Sequence, residues 1–151
     1  GLSKPEPSLR SRAVAMLARR DHSRAELARK LGPHAQSREE VEALLDDLAA
    51  RKLLSDERYA EARTASLARK FGASRIAHEL RRQGVANETV ASAVEAARGT
   101  ELERAREAWR KRFGAPATDA AGRAKQMRFL QGRGFSFDVI RKVIGGIEAD
   151  E

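Results

Sequence analysis

The residues of this sequence that could take part in chemistry are mainly arginine and lysine, whose charged groups bind phosphate oxygens. The 151-residue chain carries 30 Lys and Arg against 22 Asp and Glu, which gives a formal net charge of +8. From Arg104 to Lys142 the basic residues are opposed by only Glu107, Asp119 and Asp138. This excess of one sign favours an anionic partner, and nucleic acid is the leading one.

A set of basic side chains in the second and third parts of the chain forms the predicted contact surface. The stretch from Arg58 to Arg82 is opposed chiefly by Glu61 and Glu79, whereas acids from Glu39 to Asp47 balance the first part. Because a run of charges often marks only the solvated face of a helix, surface decoration is the alternative. The candidate residues for binding a partner or DNA are Arg69, Lys70, Arg75, Arg81, Arg82, Arg110, Lys111, Arg112, Arg128 and Arg133.

Residue types that carry catalysis are absent or badly spaced. The chain has no Cys, which removes thiol nucleophiles, disulfides and Cys-based zinc sites. His22, His34 and His78 are scattered and lack partners at metal-ligand spacing. No phosphate-binding Gly loop, nucleophile elbow or paired metal-binding His motif occurs. We therefore predict that the protein is not an enzyme and needs no metal or cofactor.

Aromatic and long apolar segments are also scarce. Aromatic residues make up 5% of the chain, so a platform for stacking nucleic-acid bases is poorly supported. A role in the core is expected instead for Trp109, Phe113, Phe129, Phe135 and Phe137. No apolar run approaches the ~20 residues of a membrane span, and the beginning of the chain does not resemble a signal peptide. We expect a monomeric cytoplasmic protein without a membrane partner.

Apolar residues recur at helical spacing, as in Val41, Leu44, Leu45 and Leu48, and no stretch alternates like a strand. Several helix starts have a Glu three residues later, which is the spacing of a capping box. The predicted starts are Ser23, Ser37, Ser55, Ser74, Asn87, Thr100 and Asp119, and the predicted ends include Gly32, Gly72, Gly84, Gly99, Gly114 and the pair Gly145 and Gly146. The acids Asp56 and Glu57 begin a predicted helix, and stabilisation of the positive, N-terminal end of its dipole is sufficient to explain their presence.

The helical pattern repeats along the chain. Residues 80–85 recur as residues 130–135, with Gly84 and Gly134 in equivalent places, where a left-handed turn is expected. The sequence predicts an all-α protein of nine helices in three tandem three-helix units, forming an elongated, curved body. Unit one covers 8–54, unit two 55–99 and unit three 100–146, with tails at 1–7 and 147–151. Extra residues from Pro116 to Arg123 predict a longer first connection in unit three.

Ordered motifs extend over nearly the whole chain, from Leu9 to Ile144. They are residues 23–27 (SRAEL), 53–60 (LLSDERYA), 71–72 (FG), 80–85 (LRRQGV) and 129–136 (FLQGRGFS). Together these motifs resemble the RecX family of bacterial regulatory proteins. Many members carry a further acid where this chain has Ser55, and we interpret that departure as a neutral exchange of helix caps.

The resemblance implies a protein without catalytic residues that binds the RecA recombinase and its filament on single-stranded DNA. It implies restraint of ATP hydrolysis and strand exchange, in DNA repair, DNA recombination and the SOS response. We expect units two and three to face the filament or its DNA, and unit one to supply protein contacts.

Two other functions remain open from the residues alone. The chain could bind double-stranded DNA directly, as a helix-turn-helix protein that uses the turns at Gly84 and Gly134. The segment Asn87 to Arg98 disfavours this reading because it is mostly Ala, Val, Glu and Thr and offers few side chains that read bases. A helical scaffold for another protein is the third reading, and it would show no salt-sensitive binding of nucleic acid.

Overall fold

The structure is a computed structural model that describes residues 5–149. Over this range the chain forms nine α-helices and no strand, which confirms the predicted all-α class. The helices are α1 (Leu9–Arg19), α2 (Arg24–Leu31), α3 (Arg38–Ala50), α4 (Asp56–Leu67), α5 (Ala73–Arg82), α6 (Asn87–Arg98), α7 (Glu101–Arg112), α8 (Ala120–Gly132) and α9 (Phe137–Ala149), and a single 3₁₀ turn (Gly32–His34) follows α2.

The helices form three groups in chain order, and each group surrounds its own hydrophobic cluster. Leu27 and Leu45 are fully buried among α1 to α3, and Ile76 and Leu80 among α4 to α6. Leu130 is fully buried among α7 to α9. We use the names unit one, unit two and unit three for these groups, while the residue boundaries predicted for the units stay a prediction. Because each cluster is small, the contacts between neighbouring units matter for stability.

The turn before the last helix has the same geometry in units two and three. Gly84 and Gly134 have φ angles of +80° and +84°, in the left-handed region that favours glycine. The amide of the next residue donates to the carbonyl of the buried leucine, from Val85 to Leu80 (3.1 Å) and from Phe135 to Leu130 (3.2 Å). The left-handed turns predicted at both glycines are therefore confirmed.

Most predicted helix caps are present, and two are wrong. The hydroxyls of Ser23, Ser37 and Ser55 accept from amides three residues ahead. Thr100 makes no such bond because the short link between α6 and α7 leaves its backbone compact rather than extended, and its hydroxyl lies 3.4 Å from the Ala97 carbonyl. Asn87 is the first residue of α6, and Ala86 occupies the extended cap position instead.

The ends of α5 and α9 also differ from expectation. Helix α5 begins at Ala73, after Gly72 rather than at Ser74. Helix α9 continues to Ala149, through the glycine pair expected to end it. A helical glycine costs only about 1 kcal/mol, and the buried Val143 and Ile144 hold the preceding turn against unit three. Of the predicted tails, residues 1–4 and 150–151 lie outside the described residues, and Pro5 to Pro7 are exposed and non-helical.

Units one and two meet where the start of α2 packs against the turn between α5 and α6. The Ser23 hydroxyl donates to the Gln83 carbonyl (2.7 Å), and Gly84 lies so close to Ala25 that a side chain would overlap it. The Arg24 amide, the first of α2, donates to the carboxylate of Asp56 (2.8 Å). Asp56 begins α4, so its role extends beyond the helix end that the sequence indicates.

Units two and three meet in the same way. The Gly72 amide donates to the Arg133 carbonyl (2.9 Å), and Gly134 packs against Arg75. Glu101, only 3% exposed, accepts from the amides of Ala73 (3.3 Å) and Ser136 (3.1 Å). At both junctions, therefore, an acid that begins one unit accepts from the first amide of the short helix in the unit before, where the helix dipole favours negative charge.

The close approach at Gly72 predicts a large effect of a single methyl group. A Cβ atom there would overlap the Gly134 carbonyl and the Phe135 backbone. We expect Gly72→Ala to lower the free energy of unfolding by about 2 kcal/mol or more, measured by urea denaturation. Gly132→Ala is the matched control because nothing lies within 4 Å of the point that its Cβ would occupy, and it should be neutral or stabilising. Equal stability of the two variants would contradict this account of the junction.

An ion pair between a buried carboxylate and a half-exposed arginine near the first junction predicts a loss of stability in acid. Glu26, 7% exposed, lies 2.6 Å from the guanidinium of Arg20, which lowers the pKa of Glu26 from 4.5 to about 2. A carboxylate with a depressed folded-state pKa stabilises the fold above its unfolded pKa, and this contribution is lost as the pH falls from 4.5 to about 2.

We expect Glu26→Gln to lower the free energy of unfolding at neutral pH by about 2 kcal/mol, after allowing for screening of the half-exposed Arg20. The stability of the variant should also decrease less than that of the native chain as the pH falls from 4.5 to about 2. Chemical denaturation at a series of pH values measures both effects. Glu39→Gln, at an exposed position of α3, is the control, and a decline that is the same in Glu26→Gln and the native chain would refute the assignment.

Candidate nucleic-acid interface

A concave surface with a volume of about 500 Å³ lies between units two and three. We call it the basic cleft. It is lined by Ala68, Arg69, Lys70, Arg104, Glu107, Ala108, Lys111, Arg112, Phe129, Arg133 and Phe135. Its basic residues come from both units, so the packing of the junction determines how far apart their charges lie.

The basic cleft brings together half of the candidate residues. Arg69 and Lys70 come from unit two, and Lys111, Arg112 and Arg133 come from unit three. Arg69, Lys70 and Arg112 are exposed and form no ion pair with any residue from 5 to 149. Cations gathered on a concave surface raise the local positive potential, which suits phosphate groups.

Three helix ends position these charges. Lys70 lies in the turn after α4, where its amide donates to the Leu67 carbonyl (3.1 Å). Lys111 and Arg112 belong to the last turn of α7, and Arg133 follows the last residue of α8. Basic residues are stabilised at helix carboxyl ends by the exposed carbonyl groups there. The recurrence of a basic residue followed by Phe-Gly-Ala, at 70–73 and 112–115, places comparable charges on both walls.

Phe129 orders the guanidinium groups on the unit-three wall. The guanidinium carbons of Arg133 and Arg112 lie 4.9 and 6.0 Å from the centroid of its ring. Phe113 packs edge-on against the same ring with the centroids 5.4 Å apart. Because cations and an aromatic neighbour surround the ring, it holds arginines in place rather than offering an open face to a base.

Arg104 is a cleft residue that the sequence candidates omit. Its guanidinium donates to the carbonyls of Ala68 (2.9 Å), Phe71 (2.6 Å) and Ala97 (2.7 Å), and so ties α7 to the ends of α4 and α6. Burial lowers the pKa of Arg104, while Glu101 raises it by a smaller amount. These bonds use the donors of Arg104 inside the protein, so its role is to hold the floor of the cleft. Nothing in the residue spacing distinguishes it from its neighbours.

Two candidates on unit three lie outside the cleft. Arg110 forms an ion pair with Glu107, which also lies 3.8 Å from Lys111. Arg128 is exposed on α8 but does not line the cleft. Glu107 therefore offsets part of the positive charge on this wall.

The candidates on α5 also lie outside the cleft. Arg75 donates to the Gly132 carbonyl (2.9 Å) and covers the Phe71 ring at 4.1 Å, so it helps to join the two units. Arg81 lies 3.4 Å from the Asn87 side chain, and Arg82 lies 3.9 Å from Glu79. Both belong to the carboxyl end of α5, which leads into the turn that packs on unit one.

The histidines and acids of the described chain do not assemble into another kind of site. Among residues 5–149, no group of three or more His, Cys, Asp or Glu side chains is arranged to hold a metal ion. His22 is 4% exposed, and burial lowers its pKa; its Nδ1 atom lies 3.1 Å from the Arg20 carbonyl, which fits a packing role. Within the same range, no helix combines the length and the apolar character needed to span a bilayer.

Family models match two parts of the chain. Residues 55–94 match the second three-helix domain of RecX, and residues 100–144 match the third. The regulatory protein RecX of Leptothrix cholodnii is 52% identical over 142 residues, which span 94% of this chain and 90% of that protein. The regulatory protein RecX of Ralstonia pickettii is 46% identical over 144 residues, which span 95% of this chain and 89% of that protein.

Solved structures agree on the fold. The crystal structure of RecX from Lactobacillus salivarius superposes with a TM-score of 0.79 at 19% identity, covering 93% of this chain and 95% of that one. A crystal structure of a regulatory protein RecX superposes with a TM-score of 0.77 at 21% identity, covering 91% of this chain and 71% of that one. With the family models and the close relatives, the matched motifs lead to one conclusion: the chain belongs to the RecX family of regulatory proteins.

Proposed function

We propose that this protein binds the RecA recombinase filament on single-stranded DNA and restrains ATP hydrolysis and strand exchange without catalysing a reaction itself. The observation that carries the proposal is the basic cleft, where cations from two units of a RecX-family chain converge. A filament on DNA combines protein surface with phosphates inside a groove. A helical body with a concave basic surface is suited to contact both.

Three exposed cations are the proposed phosphate contacts. Arg69 and Lys70 lie on one wall and Arg112 on the other, and none forms an ion pair within the described chain. A strand held between these walls would release counterions, so binding should weaken as salt rises. The protein would act as a cytoplasmic monomer in DNA repair and recombination. Inhibition would follow from blocking subunit movement or the entry of a second DNA.

Direct helix-turn-helix binding to a duplex is less well supported. If the turn at Gly84 were used in that mode, α6 of unit two would enter the major groove and present side chains that donate to bases. Its exposed residues include Glu88, Ala91, Ser92 and Glu95, which offer carboxylates and small groups. Phosphates on either side of the groove would repel those carboxylates.

The first test is the rate of single-strand-dependent ATP hydrolysis by the cognate RecA as this protein is titrated onto preformed filaments at fixed salt. We expect the rate to fall at substoichiometric or near-stoichiometric ratios to RecA. The protein titrated against the same RecA without DNA gives the background. An unchanged rate, with DNA binding intact, would overturn the proposed function and favour the duplex-binding alternative.

The second test measures the salt dependence of single-stranded DNA binding by the chain alone. Each lost phosphate contact should reduce the slope of log K against log salt by about 0.7. We therefore expect the double variant Lys70→Ala and Arg112→Ala to lower both the affinity and the slope, by about 1.4 for the slope.

The matched control for that test replaces Arg19 and Arg38 of unit one, which are also exposed and lie outside the cleft. Arg19→Ala with Arg38→Ala removes the same charge but should leave the slope close to that of the native chain. Equal slopes for the two double variants would show that the net charge, and not the basic cleft, governs binding.

A further inference from the structure

A second groove, with a volume of about 670 Å³, runs between α4 and α6 of unit two. We call it the acidic groove. It is lined by Glu57, Glu61, Thr64, Ala65, Ala68, Glu88, Thr89, Ser92, Ala93, Ala96, Ala97 and Thr100. Ala68 is the one residue that it shares with the basic cleft.

The shape of the acidic groove fits a helix. Its lining residues recur every three or four positions along α4, from Glu57 to Ala68, and along α6, from Glu88 to Ala97. Such a stripe covers about three helical turns, or roughly 16 Å. Apart from three glutamates, the lining residues are alanine, serine and threonine, whose small side chains allow another helix to approach closely.

The charge of the acidic groove is opposite to that of the chain as a whole. Glu57, Glu61 and Glu88 line it, and none of them forms an ion pair with another residue of the described chain. Three acids outside the groove, Glu26, Asp47 and Glu107, do form ion pairs. Unpaired carboxylates beside an apolar floor favour a cationic partner and disfavour a nucleic-acid backbone.

Thr64 is an independent sign that this surface is incomplete. It lines the acidic groove and is 6% exposed, and its Oγ1 atom has no hydrogen-bond partner in the described chain. Buried hydroxyl groups in folded proteins are nearly always hydrogen-bonded, and an unmade bond costs about 1–3 kcal/mol. This oxygen is itself covered, so a polar group of a docked partner would supply the missing bond after a small rearrangement of the groove floor.

We propose that the acidic groove docks a helical segment of a protein partner that carries lysine or arginine beside small or apolar residues. The inference rests on the proposed function, in which that partner is a subunit of the recombinase filament. It assigns protein contact to unit two, where the sequence points to unit one. The acidic groove would contact protein while the basic cleft contacts DNA, so the two surfaces can be separated by mutation.

The test compares four single variants for binding to preformed RecA filaments, by fluorescence anisotropy of labelled protein at fixed salt. Glu61→Lys reverses a groove charge, and Glu95→Lys makes the same change on the exposed part of α6 outside the groove. Ser92→Leu fills the groove, and Ala91→Leu adds an exposed leucine one residue away. Circular dichroism and urea denaturation check that all four fold like the native chain.

We expect Glu61→Lys and Ser92→Leu each to weaken filament binding by about fivefold to tenfold, and the two controls to bind like the native chain. Binding of bare single-stranded DNA should be the same within each matched pair. Equal filament binding by all four variants, with native binding intact, would overturn the acidic groove as a docking site.

The remaining outcomes separate this inference from the proposed function. A native chain that does not bind filaments would overturn the proposed function and the docking assignment with it. Variants that bind filaments normally but alter self-association in sedimentation velocity would replace the assignment by one in which the acidic groove accepts a second copy of this chain.

Discussion

The arrangement of the three units depends on one interaction that occurs twice. An acidic side chain at the start of one unit accepts a hydrogen bond from the first backbone amide of the short helix in the unit before. Asp56 does so for Arg24, and Glu101 does so for Ala73. Each bond satisfies a helix-end donor that has no partner within its helix, and it places negative charge at the positive end of the dipole. The basic cleft exists because the second of these junctions holds the turn after α4 beside α7.

The sequence was sufficient to predict the class of fold, because local rules determine it. Hydrophobic spacing and serine caps are properties of single helices, and the left-handed turns at Gly84 and Gly134 need only a glycine. The misplaced caps at Asn87 and Thr100 have a different origin. Both lie in short links where packing of two helices determines the backbone, and no pattern within either helix reports that packing.

The candidate site was predictable in part, for a related reason. Charge density identifies where cations are abundant, and Arg69, Lys70 and Arg112 share one surface. Charge density does not identify which cationic side chains already form hydrogen bonds within the protein. Arg75 and Arg104 donate to carbonyl groups across the junction between units two and three, although in sequence they look like any other arginine. The acidic groove was missed because its residues are small or lie on separate helices, so it has no linear signature.

The bonds at the two junctions place an unusual limit on sequence change. Because the donor is a backbone amide, the bond itself does not select the side chain at position 24 or 73, and an arginine and an alanine occupy these two places. Proline alone has no amide hydrogen to donate. In other helices, proline is over-represented at the first position, because its fixed φ angle suits the helix and its missing amide hydrogen is not needed there. At these two helix starts, the residue best suited to the isolated helix would be the one that separates neighbouring units.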